Sequence, residues 1–191
     1  MFSSGRSDEL SIRSWDMLDR TFDNQVISID KLGIDSAKGV TYPSYLFYKM
    51  DFVLWYLRDK VFDDLKLGFT KKEDWDNYRF TAKNSIEHIS PQNPKKIDEF
   101  RVWDDIDSID LRKLKLDDFG NLVLLTSSMN SEYSNNIFTT KRSEFIAKAN
   151  SKRIDSLKSA VIFENDKWSW TLCTHHKDKM KEYLIAYFLI K

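Results

Sequence analysis

The sequence holds one cysteine, Cys173, in 191 residues. A lone thiol can neither close a disulfide framework nor supply a Cys-ligated zinc site, and a reducing, cytoplasmic setting is the expectation. Proline (3) and glycine (5) are scarce, which disfavours a turn-rich sandwich or barrel and leaves no Gly-rich phosphate loop. Long apolar runs are missing too. The longest charge-free stretch in the first half, Gly39 to Tyr48, falls far short of the ~20 apolar residues of a membrane span. The opening Met-Phe-Ser-Ser-Gly-Arg-Ser-Asp lacks the apolar core of a secretory signal. Neither sign of charge is in excess, with 30 basic and 30 acidic residues. Histidine chemistry is confined to His88, His175 and His176.

Hydrophobic material is plentiful: 41% of residues, including 13 Phe, 8 Tyr and 6 Trp. That is enough for a packed core and excludes wholesale disorder. Charge is balanced overall but segregated. Residues 98–118 carry eight acids against four bases, and residues 138–158 carry six bases against two acids. The second run is either a solvated helix or a face for a polyanion.

Periodicity predicts a helix over Ser11 to Phe22 and a stronger one from Pro43 through Leu46, Met50, Val53, Leu54, Leu57 and Val61. Lys71 to Asp76 reads as a loop. The alternation at Tyr78, Phe80 and Ala82 predicts a strand running through Ile86 and Ile89 to Pro91, and Leu122 to Leu125 a second, buried one. Residues 92–118 read as loop plus a short helix around Trp103. A short helix follows within Ser127 to Asn136, then a basic helix over Ile137 to Lys152. Val161 to Leu172 reads as a hairpin about Asn165-Asp166, and Met180 to Phe188 as a closing amphipathic helix. The order predicts an α+β class.

Two segments carry chemistry. Asn84-Ser-Ile-Glu-His-Ile-Ser-Pro-Gln-Asn-Pro94 sets a carboxylate, Glu87, beside His88. Gly120-Asn-Leu-Val-Leu-Leu-Thr-Ser-Ser-Met-Asn130 opens an apolar strand with Asn121 and reaches Asn130 nine residues later. Each is unremarkable alone. Together they resemble the HNH nuclease motif, the ββα-metal finger, and share the His-Ile-x-Pro-Gln run of the HNH domain of RNA-guided DNA nucleases. With Ser134-Asn-x-x-Phe-x-x-Lys141-Arg142 and the aromatics Trp168 and Trp170, the pattern resembles the C-terminal nuclease domain of GmrSD-type, modification-dependent restriction endonucleases.

The resemblance implies a mainly helical α+β domain with an embedded ββα-metal finger and a C-terminal hairpin plus helix. It spans residues 42–191, leaving 1–41 as a helical segment that closes an upstream domain. It implies a metal-dependent endonuclease acting on DNA in phage defence. His88 would be the general base, Asn121 would orient its loop, and Lys141 would stand at the scissile phosphate. Glu87 and Asn130 would hold one Mg²⁺ or Mn²⁺, a hard cation that favours a few protein oxygens and keeps waters. Lys141, Arg142, Lys148 and Lys152 would contact the nucleic-acid backbone. An NTP-using, parB-like domain would accompany it, in the same chain or on a partner.

The chain departs from the HNH pattern twice: Glu87 stands where Asp is usual, and Tyr133 where a Lys often follows the late Asn. Asn135 is a rival to Asn130 as ligand. A catalytically silent nucleic-acid-binding module and an RNase-type toxin are the alternative functions. His175 and His176, being adjacent, point to different faces and read as helix-entry residues. Cys173 and most tryptophans read as core or loop anchors.

Overall fold

The computed structural model describes residues 33–93, 115–151 and 153–190, all within one compact unit beginning at Gly33. The helix expected over Ser11 to Phe22 and the one around Trp103 lie outside the described residues. So does Lys152. Seven α-helices and a two-stranded antiparallel sheet make up the described part, an α+β arrangement.

Helix α1 (Ser44–Tyr56) starts behind Pro43 and buries Leu46, Phe47, Met50, Phe52, Val53 and Leu54. The sequence predicts one helix through Val61, but the chain turns at Leu57, and α2 (Arg58–Leu65) continues from it. Lys71 to Asp76 is not the expected loop. Lys72–Asp76 forms α3, which buries Trp75, whose indole N–H donates to Thr70 Oγ1 at 3.1 Å. The predicted strand is shorter and later than its alternation suggests. Only Ser85–His88 pair as β1, while Tyr78 turns inward and its hydroxyl donates to Asp51 Oδ2 at 3.0 Å.

Strand β2 (Leu122–Leu125) is buried along its whole length and pairs with β1 so that Ser85 faces Leu125 and His88 faces Leu122. Helix α4 (Ser127–Tyr133) follows at once, capped by Thr126, and α5 (Phe138–Ala149) comes next. The two antiparallel strands are thus followed directly by a helix.

The expected C-terminal hairpin is absent. Val161, Ile162 and Phe163 belong to α6 (Leu157–Phe163), and Trp170 to Leu172 form the first turn of α7 (Trp170–Ile190). All seven residues of α6 are buried. It therefore shows no solvent-exposed face, and a short apolar run such as Val161 to Phe163 cannot be told from a strand by periodicity. Ser156 caps its start, and the Asn165 side chain donates to Ile162 O at 2.9 Å near its end.

Asp51 is the polar knot of the core. One carboxylate oxygen accepts from Tyr78 and from Lys83 Nζ at 2.8 Å; the other accepts from Ser156 Oγ at 3.0 Å and Lys158 N at 2.9 Å. It thus ties α1 to the entry of β1 and the start of α6. Gly120 is required by close approach: a Cβ there would lie 2.3 Å from the carbonyl oxygen of Cys173 on α7. Among the described residues, no helix is long and apolar enough to cross a membrane.

Candidate active site

The Gly120-Asn121 step brings the two motif segments together. Phe119–Asn121 is a single 3-10 turn leading into β2, and Asn121 is fully buried. Its Oδ1 accepts from the Ser90 backbone N–H at 2.8 Å, and its Nδ2 donates to Ser90 O at 3.1 Å and to Leu116 O at 2.9 Å. Its backbone carbonyl accepts from Ile89 N at 2.9 Å. Trp168 Nε1 donates to the same Oδ1 at 3.1 Å. Asn121 therefore clamps the two residues that follow His88, and Trp168, 2% exposed, donates to the same oxygen.

His88 ends β1 and is largely buried, with Nε2 2.8 Å from Asp117 Oδ1. A carboxylate only accepts, so the ring hydrogen belongs on Nε2 and the lone pair on Nδ1. Burial holds the His88 pKa below its ordinary value, and the Asp117 carboxylate works against that shift. The net direction favours the neutral imidazole.

Glu87, one residue earlier, points to the other face of β1. Its Oε1 accepts from Lys141 Nζ at 2.5 Å, and the same ammonium donates to His88 O at 2.6 Å. Burial raises the Glu87 pKa against the pull of Lys141. It likewise lowers that of Lys141 against the pull of Glu87. Both members of the pair are thereby drawn toward their neutral forms by the same cause, loss of water.

Asn130 lies on α4, which packs on β1. Its Oδ1 is buried with no hydrogen-bond partner, an arrangement that leaves a strong acceptor unused. Asn135, the rival, is exposed beyond the end of α4. No group of three or more His, Cys, Asp or Glu converges among the described residues. Glu87 already accepts from Lys141, and the Asn130 amide oxygen is the unused acceptor on the neighbouring helix. A carboxylate and an amide oxygen are the donor types a hard cation takes.

The basic run is not an exposed stripe. Lys141 is fully buried and faces Glu87, not solvent. Arg142 donates from Nε to Phe163 O at 2.9 Å, pairs with Asp166 at 2.8 Å and lies over the Phe69 ring. Lys148 pairs with Glu132. Lys158 is buried, donating to Phe119 O at 2.7 Å and Leu122 O at 2.5 Å, and burial pushes its pKa down to about 7. Helices α5 and α6 present these side chains to their neighbours, so counting charge along the sequence overstates the free basic surface. A cleft of about 670 Å³ between α3 and α4, lined in part by Arg79, Lys148, Arg153 and Asp155, does not include Glu87 or His88.

The sequence reading did not single out Asp117. It sits in an acidic stretch where no single carboxylate stands out, and its partner is 29 residues away. His175 is exposed and His176 buried, so the two do not converge.

No curated protein and no solved structure matches the chain. A family model does, over residues 29–183: that of the C-terminal domain of GmrSD restriction endonucleases. The match covers most of the 191 residues and contains Glu87, His88, Asn121, Asn130 and Lys141. The chain belongs to the GmrSD restriction endonuclease C-terminal domain family.

Proposed function

We propose that the domain is an HNH-type endonuclease that hydrolyses phosphodiester bonds of foreign or modified DNA. The observation that carries this reading is the clamp of Asn121 on the loop after His88, with Glu87 one residue away and the unused Asn130 oxygen on the helix behind β1. Two strands and a helix supporting an acid, a histidine and two asparagines are what a ββα-metal finger needs.

In this mechanism His88 Nδ1 takes a proton from a water molecule. The water oxygen forms a bond to phosphorus, the P–O3′ bond breaks, and the leaving oxygen takes a proton from solvent. Glu87 and Asn130 would hold one Mg²⁺ or Mn²⁺, which when bound supplies charge stabilisation at the phosphate and the leaving oxygen. Asn121 keeps the His88 loop in place while the proton moves. Lys141 acts from inside, holding the Glu87 carboxylate and the His88 carbonyl in one arrangement. In keeping with the family, the domain works with an NTP-using, parB-like domain in the same full-length protein or on a partner.

The test is cleavage of supercoiled plasmid and of modified phage DNA with Mg²⁺ or Mn²⁺. Activity should vanish in EDTA, and His88→Ala should lower it by about 10²–10⁴-fold, the usual loss for a general base, with circular dichroism and DNA binding unchanged. Full activity in His88→Ala or in EDTA would refute the mechanism.

A further inference from the structure

We propose that Asp117 is the positioning residue of His88, and that position 39 is glycine because the Asp117 carboxylate fills the space of a side chain there. The inference rests on the reading of His88 as general base and deepens it.

Three contacts fix the carboxylate. His88 Nε2 is 2.8 Å from Oδ1, and Gln92 Nε2 donates to the same oxygen at 3.3 Å. On the other side Gly39 closes the wall. Its N–H donates to the Asp117 backbone carbonyl at 3.2 Å. It is buried, with φ of +54°. A Cβ built there would stand 2.6 Å from Asp117 Cγ and 2.7 Å from each carboxylate oxygen. A methyl group at position 39 would therefore have to displace the carboxylate from where it meets His88. The adjacent acid is not interchangeable with it: Asp118 accepts from Gly120 N at 2.8 Å and from Lys177 Nζ at 2.7 Å. Of the Asp117-Asp118 pair, one caps the turn that carries Asn121 and the other faces the histidine.

A neutral imidazole has two tautomers, and only one leaves the lone pair on Nδ1. The carboxylate at Nε2 selects that tautomer and fixes the ring plane. Asn121 holds the backbone after His88; Asp117 holds its ring. Asp117 touches no reacting atom in this scheme and acts only through His88, as the carboxylates behind metal-ligating histidines act through theirs.

The experiment uses the full chain with ¹⁵N-labelled histidine. Long-range ¹H–¹⁵N spectra read the His88 tautomer, assigned through His88→Ala. Plasmid cleavage with Mn²⁺ gives kcat and KM. Wild type should show the Nε2–H form. Asp117→Ala should show mixed tautomers and a kcat lower by about 10–100-fold, the usual cost of losing an orienting partner, with KM unchanged. Asp117→Asn should keep the Nε2–H form through its amide oxygen and recover part of kcat. Gly39→Ala should reproduce Asp117→Ala. Added to Asp117→Ala it should lower kcat no further, because the shortened side chain makes room; the strain of a positive φ is common to both backgrounds and shows in stability alone.

An unchanged tautomer and kcat in Asp117→Ala, with His88→Ala inactive, would overturn the inference and spare the mechanism. An active His88→Ala would refute the mechanism, and the spectra would still decide whether Asp117 sets the ring. Should Gly39→Ala fail to fold, recovery of folding in the double variant supports the cradle; where the positive φ alone unfolds both, the tautomer and kcat of Asp117→Ala decide the inference.

Discussion

Lys141 Nζ and Glu87 Oε1 lie 2.5 Å apart with the lysine side chain wholly buried and the glutamate side chain 11% exposed. The pair joins α5 to the end of β1, and the ammonium also reaches the carbonyl of His88. A buried ion pair of this kind is expensive to break from one side, because the remaining charge has no water to return to.

Replacing Lys141 by Met should therefore destabilise the protein by about 3–5 kcal/mol. Removing both charges, as in Lys141→Met with Glu87→Gln, should restore much of the loss. If Glu87 is a cation ligand, millimolar Mg²⁺ should also raise the stability of Lys141→Met more than that of wild type, since a cation bound only by the native state stabilises it. Denaturant titrations with Mg²⁺ and with EDTA give both comparisons. A single variant as stable as wild type would show that the pair contributes nothing.

Asn121→Asp is the sharper test of the loop clamp. The change keeps the shape and turns the donor at Nδ2 into an acceptor facing the carbonyls of Ser90 and Leu116. Each buried carbonyl left without a donor costs about 1–3 kcal/mol. The loop after His88 should shift, and displacement of a catalytic group by about 1 Å can cost on the order of 10²-fold in rate. The expected outcome is a folded protein of reduced stability whose kcat falls by that order, while Asn135→Asp leaves both alone. Equal rates for wild type and Asn121→Asp would remove Asn121 from the site.

The part of this site that the sequence discloses is the part built from neighbours along the chain. Glu87 and His88 are adjacent on a strand, and Asn121 opens the run that pairs with it, so antiparallel register alone sets Leu122 across from His88. What it conceals is decided by tertiary contacts. Lys141, between Thr140 and Arg142, reads as one more surface base until α5 is seen to turn it into the core. Asp117 is one of eight acids in its stretch, distinguished only by what it meets in space. The mistaken hairpin has the same origin. A helix buried on every side has no solvent-facing stripe to betray its period, and Trp168, expected on a strand, serves as the donor to Asn121.

Asp51 should prove structural and not catalytic. It is 2% exposed, and its loss would remove the carboxylate partner of the Lys83 ammonium, whose side chain is wholly buried, and one acceptor each from the Tyr78 and Ser156 hydroxyls. Asp51→Ala should cost about 3–5 kcal/mol, seen as a lower denaturation midpoint. The cleavage rate per folded molecule should stay at the wild-type value below that midpoint. A selective loss of rate without loss of stability would assign Asp51 to the chemistry instead.

His176 sets the last expectation, an acid limb in stability. The ring is buried on α7 against Trp168, and its Nε2 has no hydrogen-bond partner. Burial, then the nearby Lys158 and His175, hold its pKa well below the ordinary value. The unfolded chain gains a proton at this residue near pH 6.5, and the folded chain refuses it until the pH is far lower. Stability is thus fully present above about pH 6.5 and falls below it, by up to about 1.4 kcal/mol per pH unit for this one proton. His88, also held low by burial, adds to the same limb, whereas the raised pKa of Glu87 works in the opposite direction. His176→Phe fills a similar volume without titrating. Unfolding free energies measured from pH 7.5 to pH 5 should fall less steeply for His176→Phe than for wild type. The His88→Ala, His176→Phe double variant should be flatter again. Parallel curves for wild type and His176→Phe would mean that the folded protein accommodates the imidazolium, and that the ring is less confined than its burial against Trp168 implies.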